Sequence, residues 1–295
     1  MSGTRSDAPG IDLDTWHRKG YLVIERFFPE AEIASLRELT DTIVAEGRTL
    51  ERSDERFDIA RDGATTHVRR IKHPDALHEG FRQIARHSRI VAVLEGLFAQ
   101  GVRLEVGKIN LKLPNEGGEI AWHQDYAFSP LTNDSSAAVG IFVDDVTEDN
   151  GPLMLVPGSH RWPLMSHHQH GRFVGRVTEQ DPVSRGWPVE AVTAPAGSIS
   201  IHHCRTLHAS AENRSAHARR IYFNQYHAAD AWPYLGVRDL AWWTDRLLSG
   251  EESFAPRIVE THVTLPLPVQ SHSSIFDLQA ADSNPPNSNL SKQVM

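Results

Sequence analysis

From residue 102 onward the chain abandons helical spacing for short apolar segments separated by turn sequences, and this switch constrains the fold more than any other feature. Segments 102–113, 120–126, 137–143, 153–156, 189–193, 198–202 and 219–226 have the length and composition of strands. Pro114-Asn115-Glu116-Gly117-Gly118, Glu148-Asp149-Asn150-Gly151 and Pro195-Ala196-Gly197 separate them with residues suited to turns. Upstream, Ile33, Leu36, Leu39 and Ile43 recur at three or four residues behind Pro29, which predicts a helix over 30–45. Ile84, Ile90, Val91, Val93, Leu94 and Leu97 predict a second helix over 81–98. A short helix from Leu13, an apolar run over 21–24, a charged loop over 48–66 and a helix over 232–248 complete the pattern. Helices first and many short strands after predict a helix-flanked β-sandwich or jelly roll.

Length and composition place all of this in one unit. A 295-residue chain with 40% hydrophobic residues can bury a substantial core. The expected division is a single domain over 1–269 and a disordered tail over 270–295, rich in Ser, Asn, Gln and Pro. A net charge of −8 argues against a nucleic-acid partner. The single cysteine, Cys204, fits a reducing compartment. Residues 1–20 hold no apolar core of a secretory signal, and no apolar run is long enough to span a membrane. A soluble, cytoplasmic protein is expected, with no membrane partner and an oligomeric state the sequence leaves open.

The chemistry centres on Ala121-Trp122-His123-Gln124-Asp125-Tyr126. On an extended segment, His123 and Asp125 project to the same face because strand side chains alternate with period 2. An imidazole nitrogen and a carboxylate oxygen can then meet one ion, and a second histidine would complete the facial triad of a non-haem Fe(II) oxygenase. His208, which follows the 198–202 strand and precedes the arginine-bearing 219–226 strand, leads the candidates. On spacing alone His202, His203, His217 and His227 remain open. His167, His168 and His170 lack an acidic or cysteine partner nearby and read as a solvated polar loop. The acidic run Asp144, Asp145, Glu148, Asp149 reads as a solvated turn.

His123-Gln124-Asp125, the run Asn150-Gly151-Pro152-Leu153-Met154-Leu155-Val156-Pro157-Gly158-Ser159-His160, and His208-Ala209-Ser210 with Asn213 and Arg219 together resemble the phytanoyl-CoA dioxygenase family, which includes ectoine hydroxylase. The similarity runs over residues 13–232. It implies a mainly β fold with flanking helices, a double-stranded β-helix of the cupin-like jelly-roll kind. It also implies Fe(II) and 2-oxoglutarate as cofactor and cosubstrate, with dioxygen and a small-molecule substrate as partners. The family's metal ligands fall on His123, Asp125 and His208, and its carboxylate-anchoring arginine falls on Arg219, eleven positions after His208. Ser210 and Asn110 are implied as further cosubstrate contacts. The guanidinium fork suits a carboxylate in a water-poor barrel, and alternation lets only one of Arg219 and Arg220 face inward. Asn150-Gly151 and residues 157–160 are read as turn chemistry without a catalytic role. Tyr126 and Phe128 are equally suited to pocket lining and to core packing.

The sequence also departs from its relatives. Ser129 stands where ectoine hydroxylase carries an aromatic residue, which argues against ectoine, and Gly140 stands where the phytanoyl enzyme carries a tryptophan. A polar metabolite, an amino acid, a phosphonate and a natural-product scaffold all remain compatible as substrates. The rival readings are a metal-dependent hydrolase or isomerase on the same jelly roll, and a catalytically silent binding protein.

Overall fold

The computed structural model describes residues 11–114, 118–178, 182–259, 261–267 and 275–280. In chain order the elements are α1 (Leu13–Lys19), β1 (Tyr21–Ile24), α2 (Glu30–Gly47), β2 (Phe57–Asp62), β3 (Thr65–Lys72), α3 (Pro74–Leu77), α4 (Glu79–Ala85), α5 (Ser88–Phe98), β4 (Val102–Lys112) and β5 (Ile120–His123). There follow β6 (Ser136–Phe142), β7 (Leu153–Leu155), β8 (His168–Gln169), β9 (Arg172–Phe173), β10 (Glu190–Val192), β11 (Ile199–His203), β12 (His208–Ser210), β13 (Arg219–Ala228), α6 (Leu240–Asp245) and α7 (Ile275–Ala280).

Two antiparallel sheets carry the architecture, in the orders β1-β11-β6-β13-β4-β3-β2 and β10-β7-β12-β5. This is the jelly roll that the strand pattern predicts. The larger sheet separates two environments through simple alternation. On β13, Tyr222 and Tyr226 face the helices, where their hydroxyls donate to the carbonyls of Phe81 (3.2 Å) and Ala85 (2.7 Å) of α4. Arg219, Ile221 and Phe223, of the other parity, line a pocket on the opposite face. Ile33, Leu36, Phe81, Ile90 and Leu94 fill the helix side as part of one apolar core. Each such side chain, fully buried, contributes about 1.5–3 kcal/mol.

Four expectations are corrected. The helix predicted over 81–98 is broken at His87, whose backbone is extended (φ −63°, ψ 126°) and whose Nδ1 accepts the Arg89 N–H to cap α5. The loop predicted over 48–66 contains a hairpin, β2–β3, turning at Gly63 with φ +57°. The Asp62-Gly63 pair is the turn signal that marks it. The helix over 232–248 shrinks to Leu240–Asp245, capped by the Asp239 side chain, because Pro233 and Gly236 turn the chain first. The disordered tail expected over 270–295 includes α7, a helix; residues 270–274 and 281–295 lie outside the described residues. Among the described residues no helix is long and apolar enough to cross a membrane.

Candidate active site

Pairing of β12 with β5 places His208 directly opposite His123. Strand β5 ends at His123, so the expected strand over 120–126 is shorter than its apolar run. Gln124 stays extended (φ −125°, ψ 125°), which preserves the two-residue alternation, and Asp125 opens a 3₁₀ turn over Asp125–Ala127. The Tyr126 N–H donates to the Cys204 carbonyl (2.9 Å) and fixes that turn. One ligand atom each from His123, Asp125 and His208 then lies within 4.8 Å of the others, the only such group of three among the described residues.

Ring orientation suits these three to a metal. His123 Nδ1 lies 2.8 Å from the Ala121 carbonyl and His208 Nδ1 2.9 Å from that of Thr206. Each contact requires the proton on Nδ1 and leaves the Nε2 lone pair for an ion. Those Nε2 atoms lie 3.9 and 3.8 Å from Asp125 Oδ1. Burial lowers the His123 pKa to about 4 and that of His208 well below the usual imidazole range, so both rings are neutral. Burial alone would raise the Asp125 carboxyl, but His208, a hydrogen bond from His202 and nearby Lys108 together hold it well below the usual range. Two neutral imidazoles and an ionised carboxylate are the donor set a divalent ion takes.

His202 is the member of this centre that spacing left unassigned. Its Nε2 donates to Asp125 Oδ2 at 3.2 Å, so it engages one carboxylate oxygen while the other faces the two ligand nitrogens. Among the sequence candidates it is therefore a carboxylate-orienting residue. His203, one position on, contacts Trp16 and His160 instead. Gln124, between the two metal-facing residues, clamps the strand from behind: Nε2 donates to the Arg205 carbonyl (2.7 Å), and Oε1 accepts the Met165 N–H (2.9 Å). His167, expected in a solvated loop, is instead buried. Its Nε2 accepts the Gln124 N–H (3.0 Å), and its Nδ1 donates to the Met165 carbonyl (2.9 Å).

Arg219 points into the pocket and is buried. Its guanidinium hydrogen-bonds the Gly151 carbonyl and Ser210 Oγ, the latter at 3.3 Å, and Ser210 donates to the same carbonyl (3.2 Å). Gly151 adopts φ +81°, and a Cβ there would sit 2.7 Å from the Ala211 carbonyl oxygen, so the turn that holds this arginine needs glycine. Arg220 points the other way, to Asp144 (2.8 and 2.7 Å) and Asp41 of α2. That pair is more shielded than an exposed one, with side-chain exposures of 12% and 18%. Asp144 is thus an ion-pair partner, which corrects the solvated-turn expectation for that residue. Asn110, opposite Ile221 of β13, lines the pocket and accepts from Arg70 Nε (3.1 Å).

The pocket is walled by the triad, His202, Ser210, Phe223 and a set of cations. Phe223 fills the space of the departure at Gly140, where a Cβ would meet its ring at 2.7 Å. Ser129 donates to Glu105 (2.5 Å), and neither lines the pocket. Tyr126 is a core residue whose hydroxyl donates to the Leu131 carbonyl (2.5 Å). Phe128 packs edge-on against His123 (5.6 Å) and Phe173 (5.0 Å).

A jelly roll with a two-histidine, one-carboxylate cluster and a buried arginine beside it defines the class of non-haem iron oxygenases. The chain belongs to the phytanoyl-CoA dioxygenase family, whose model matches residues 16–221. It is 34% identical over 270 residues to a probable alpha-ketoglutarate-dependent hypophosphite dioxygenase of Stutzerimonas stutzeri, covering 89% of this chain and 94% of that one. It is 25% identical over 252 residues to an L-proline trans-4-hydroxylase of Streptomyces griseoviridis, covering 78% and 91%. The structure of EctD from S. alaskensis with 2-oxoglutarate and 5-hydroxyectoine matches with a TM-score of 0.65 at 22% identity, covering 90% of this chain and 92% of that one. The protein is an Fe(II)- and 2-oxoglutarate-dependent dioxygenase that oxidises a small molecule and releases succinate and CO2.

Proposed function

We propose that this dioxygenase oxidises a small anion, with iron held by His123, Asp125 and His208 and 2-oxoglutarate anchored by Arg219. The charge of the pocket lining carries the substrate assignment. Arg70, Lys108, Lys112 and Arg219 face it against one carboxylate, Asp125. Burial lowers the Lys112 pKa to about 6, so it is largely neutral near pH 7, and its amine donates to the Ser210 and Ala211 carbonyls. Iron(II) and the doubly charged cosubstrate cancel, and the remaining lining still holds more positive than negative charge. Burial lowers the Lys108 pKa too, and Arg70 lowers it further against the opposing pull of Asp125 and Glu105, so an anion bound in the pocket would favour its charged form. The name of the S. stutzeri relative, an enzyme of hypophosphite, agrees with this chemistry.

When bound, iron and 2-oxoglutarate activate dioxygen and supply the oxidant. The chain's own groups then have distinct tasks. Arg219 and Ser210 hold the far carboxylate of the cosubstrate, Asn110 offers its amide from β4, and His202 keeps Asp125 turned toward the metal. Ile120, Leu153, Ile221 and Phe223 exclude water from the pocket.

Succinate formation with hypophosphite and methylphosphonate, set against L-proline and ectoine, tests the assignment. The anions should drive turnover and the zwitterions should not. Lys108→Met should raise the KM for the anion about tenfold to a hundredfold, the value of a hydrogen bond to a charged group. Turnover of proline or ectoine with no response to either anion would sink the substrate assignment.

A further inference from the structure

We infer that α7 (Ile275–Ala280) forms the outer wall of the substrate pocket, with Phe276 as its specificity-determining side chain and Gln279 as the residue that positions it. The inference rests on the placement of iron at His123, Asp125 and His208. The helix lies beyond residues 16–221, the part matched by the family model.

Three independent contacts fix it there. Ile275 and Phe276 line the same pocket as the triad, Arg70 and Arg219. The Phe276 ring lies 4.0 Å from the Arg69 guanidinium carbon and 5.1 Å from that of Arg70, within the range of a cation–π contact. The ring thereby covers Arg70, one of the cations that line the pocket. Gln279 ties the helix to the metal strand itself: its Oε1 accepts the Ala121 N–H at 3.0 Å, two residues before His123. Its Nε2 donates to the Gly175 carbonyl at 2.8 Å, so both ends of the amide are used. Gly175 lets the helix approach, since a Cβ there would lie 3.3 Å from Leu278 Cβ.

A ring over Arg70 sets the room available beyond it and keeps water from the oxidising centre. Removing it should enlarge the pocket and let 2-oxoglutarate be consumed without substrate. Cutting the Gln279 tether should loosen the helix and expose the Ala121 amide.

The test uses the full chain loaded with Fe(II) and 2-oxoglutarate. In Gln279→Ala, deuterium exchange should quicken in the peptide carrying Ala121 and stay unchanged in the peptide carrying Tyr222. In Phe276→Ala, succinate formation without substrate should rise severalfold, and Phe276→Leu should restore part of the difference. The ratio of kcat/KM for phenylphosphonate to that for methylphosphonate should also rise in Phe276→Ala. Unchanged exchange in Gln279→Ala, or an unchanged substrate-free rate or kcat/KM ratio in Phe276→Ala, overturns the inference. If the native enzyme uses neither phosphonate nor hypophosphite, the anionic substrate fails, while the exchange and the substrate-free rate still decide the role of the helix.

Discussion

Asp125→Ala should abolish substrate-driven succinate formation and weaken Fe(II) binding by more than the ten- to hundredfold that loss of an outer-shell partner costs. Among the described residues Asp125 is the only carboxylate lining the pocket, and its Oδ1 lies 3.9 and 3.8 Å from the two ligand nitrogens. Alanine would leave two neutral imidazoles, without a negative charge to hold a hard divalent ion. The fold should survive, because the turn at 125–127 is held by backbone hydrogen bonds, including Tyr126 N–H to the Cys204 carbonyl. Circular dichroism and a thermal melt check that point, and metal analysis after gel filtration reads the ion. An Asp125→Ala protein that keeps iron and turnover would remove the carboxylate from the centre.

Arg219→Ala should weaken 2-oxoglutarate binding by about thirtyfold to several thousandfold, matching the 2–5 kcal/mol lost when one member of a buried charge pair is truncated. Fe(II) binding should stay near normal, since the arginine contacts no member of the triad. Arg219 also holds the Gly151 carbonyl and Ser210, so Arg219→Lys is the companion variant, keeping the charge but losing the fork. Its cosubstrate affinity should fall between those of the native and alanine proteins. Arg220→Ala should leave 2-oxoglutarate affinity unchanged. It should instead lower stability by about 1–3 kcal/mol, because its hydrogen bonds to Asp144 are charge-assisted and largely shielded. Calorimetric titration of 2-oxoglutarate against all three variants separates the roles. Unaltered affinity in Arg219→Ala would detach the arginine from the cosubstrate.

Much of this architecture was legible in the sequence because the strands of a jelly roll alternate between two environments. Tyr222 and Tyr226 against Arg219, Ile221 and Phe223 on β13 show how one strand writes both a core face and a pocket face. The H-x-D motif was readable for the same reason, even though its strand ends at His123, since Gln124 remains extended. What the sequence concealed depends on tertiary packing. Nothing in the spacing separates His202 from His203, and only the pairing of β11 with β6 and β1 turns the first toward Asp125. His167 looks like one of three loop histidines until it is buried behind Gln124. The break at His87 is a local competition between helix continuation and a side-chain cap, which apolar periodicity does not report. The hairpin at Gly63 was readable from Asp62-Gly63 but was masked by the charge of its strands. Helix α7 lies in a polar stretch whose order comes from contacts with β5, Arg69 and Arg70, none of which is local in sequence.

Iron content in His208→Ala compared with His202→Ala tests the metal centre most directly. Both rings lie within reach of Asp125, at 3.8 Å for His208 and 3.2 Å for His202, but only His208 offers its lone pair to the point that His123 and Asp125 share. Equilibrium dialysis against Fe(II) under argon, followed by metal analysis, should give one ion per native chain. His208→Ala should lose that ion, while His202→Ala should retain it with about ten- to hundredfold weaker affinity. Retention of iron by His208→Ala and its loss from His202→Ala would contradict the assignment and move the third ligand to β11.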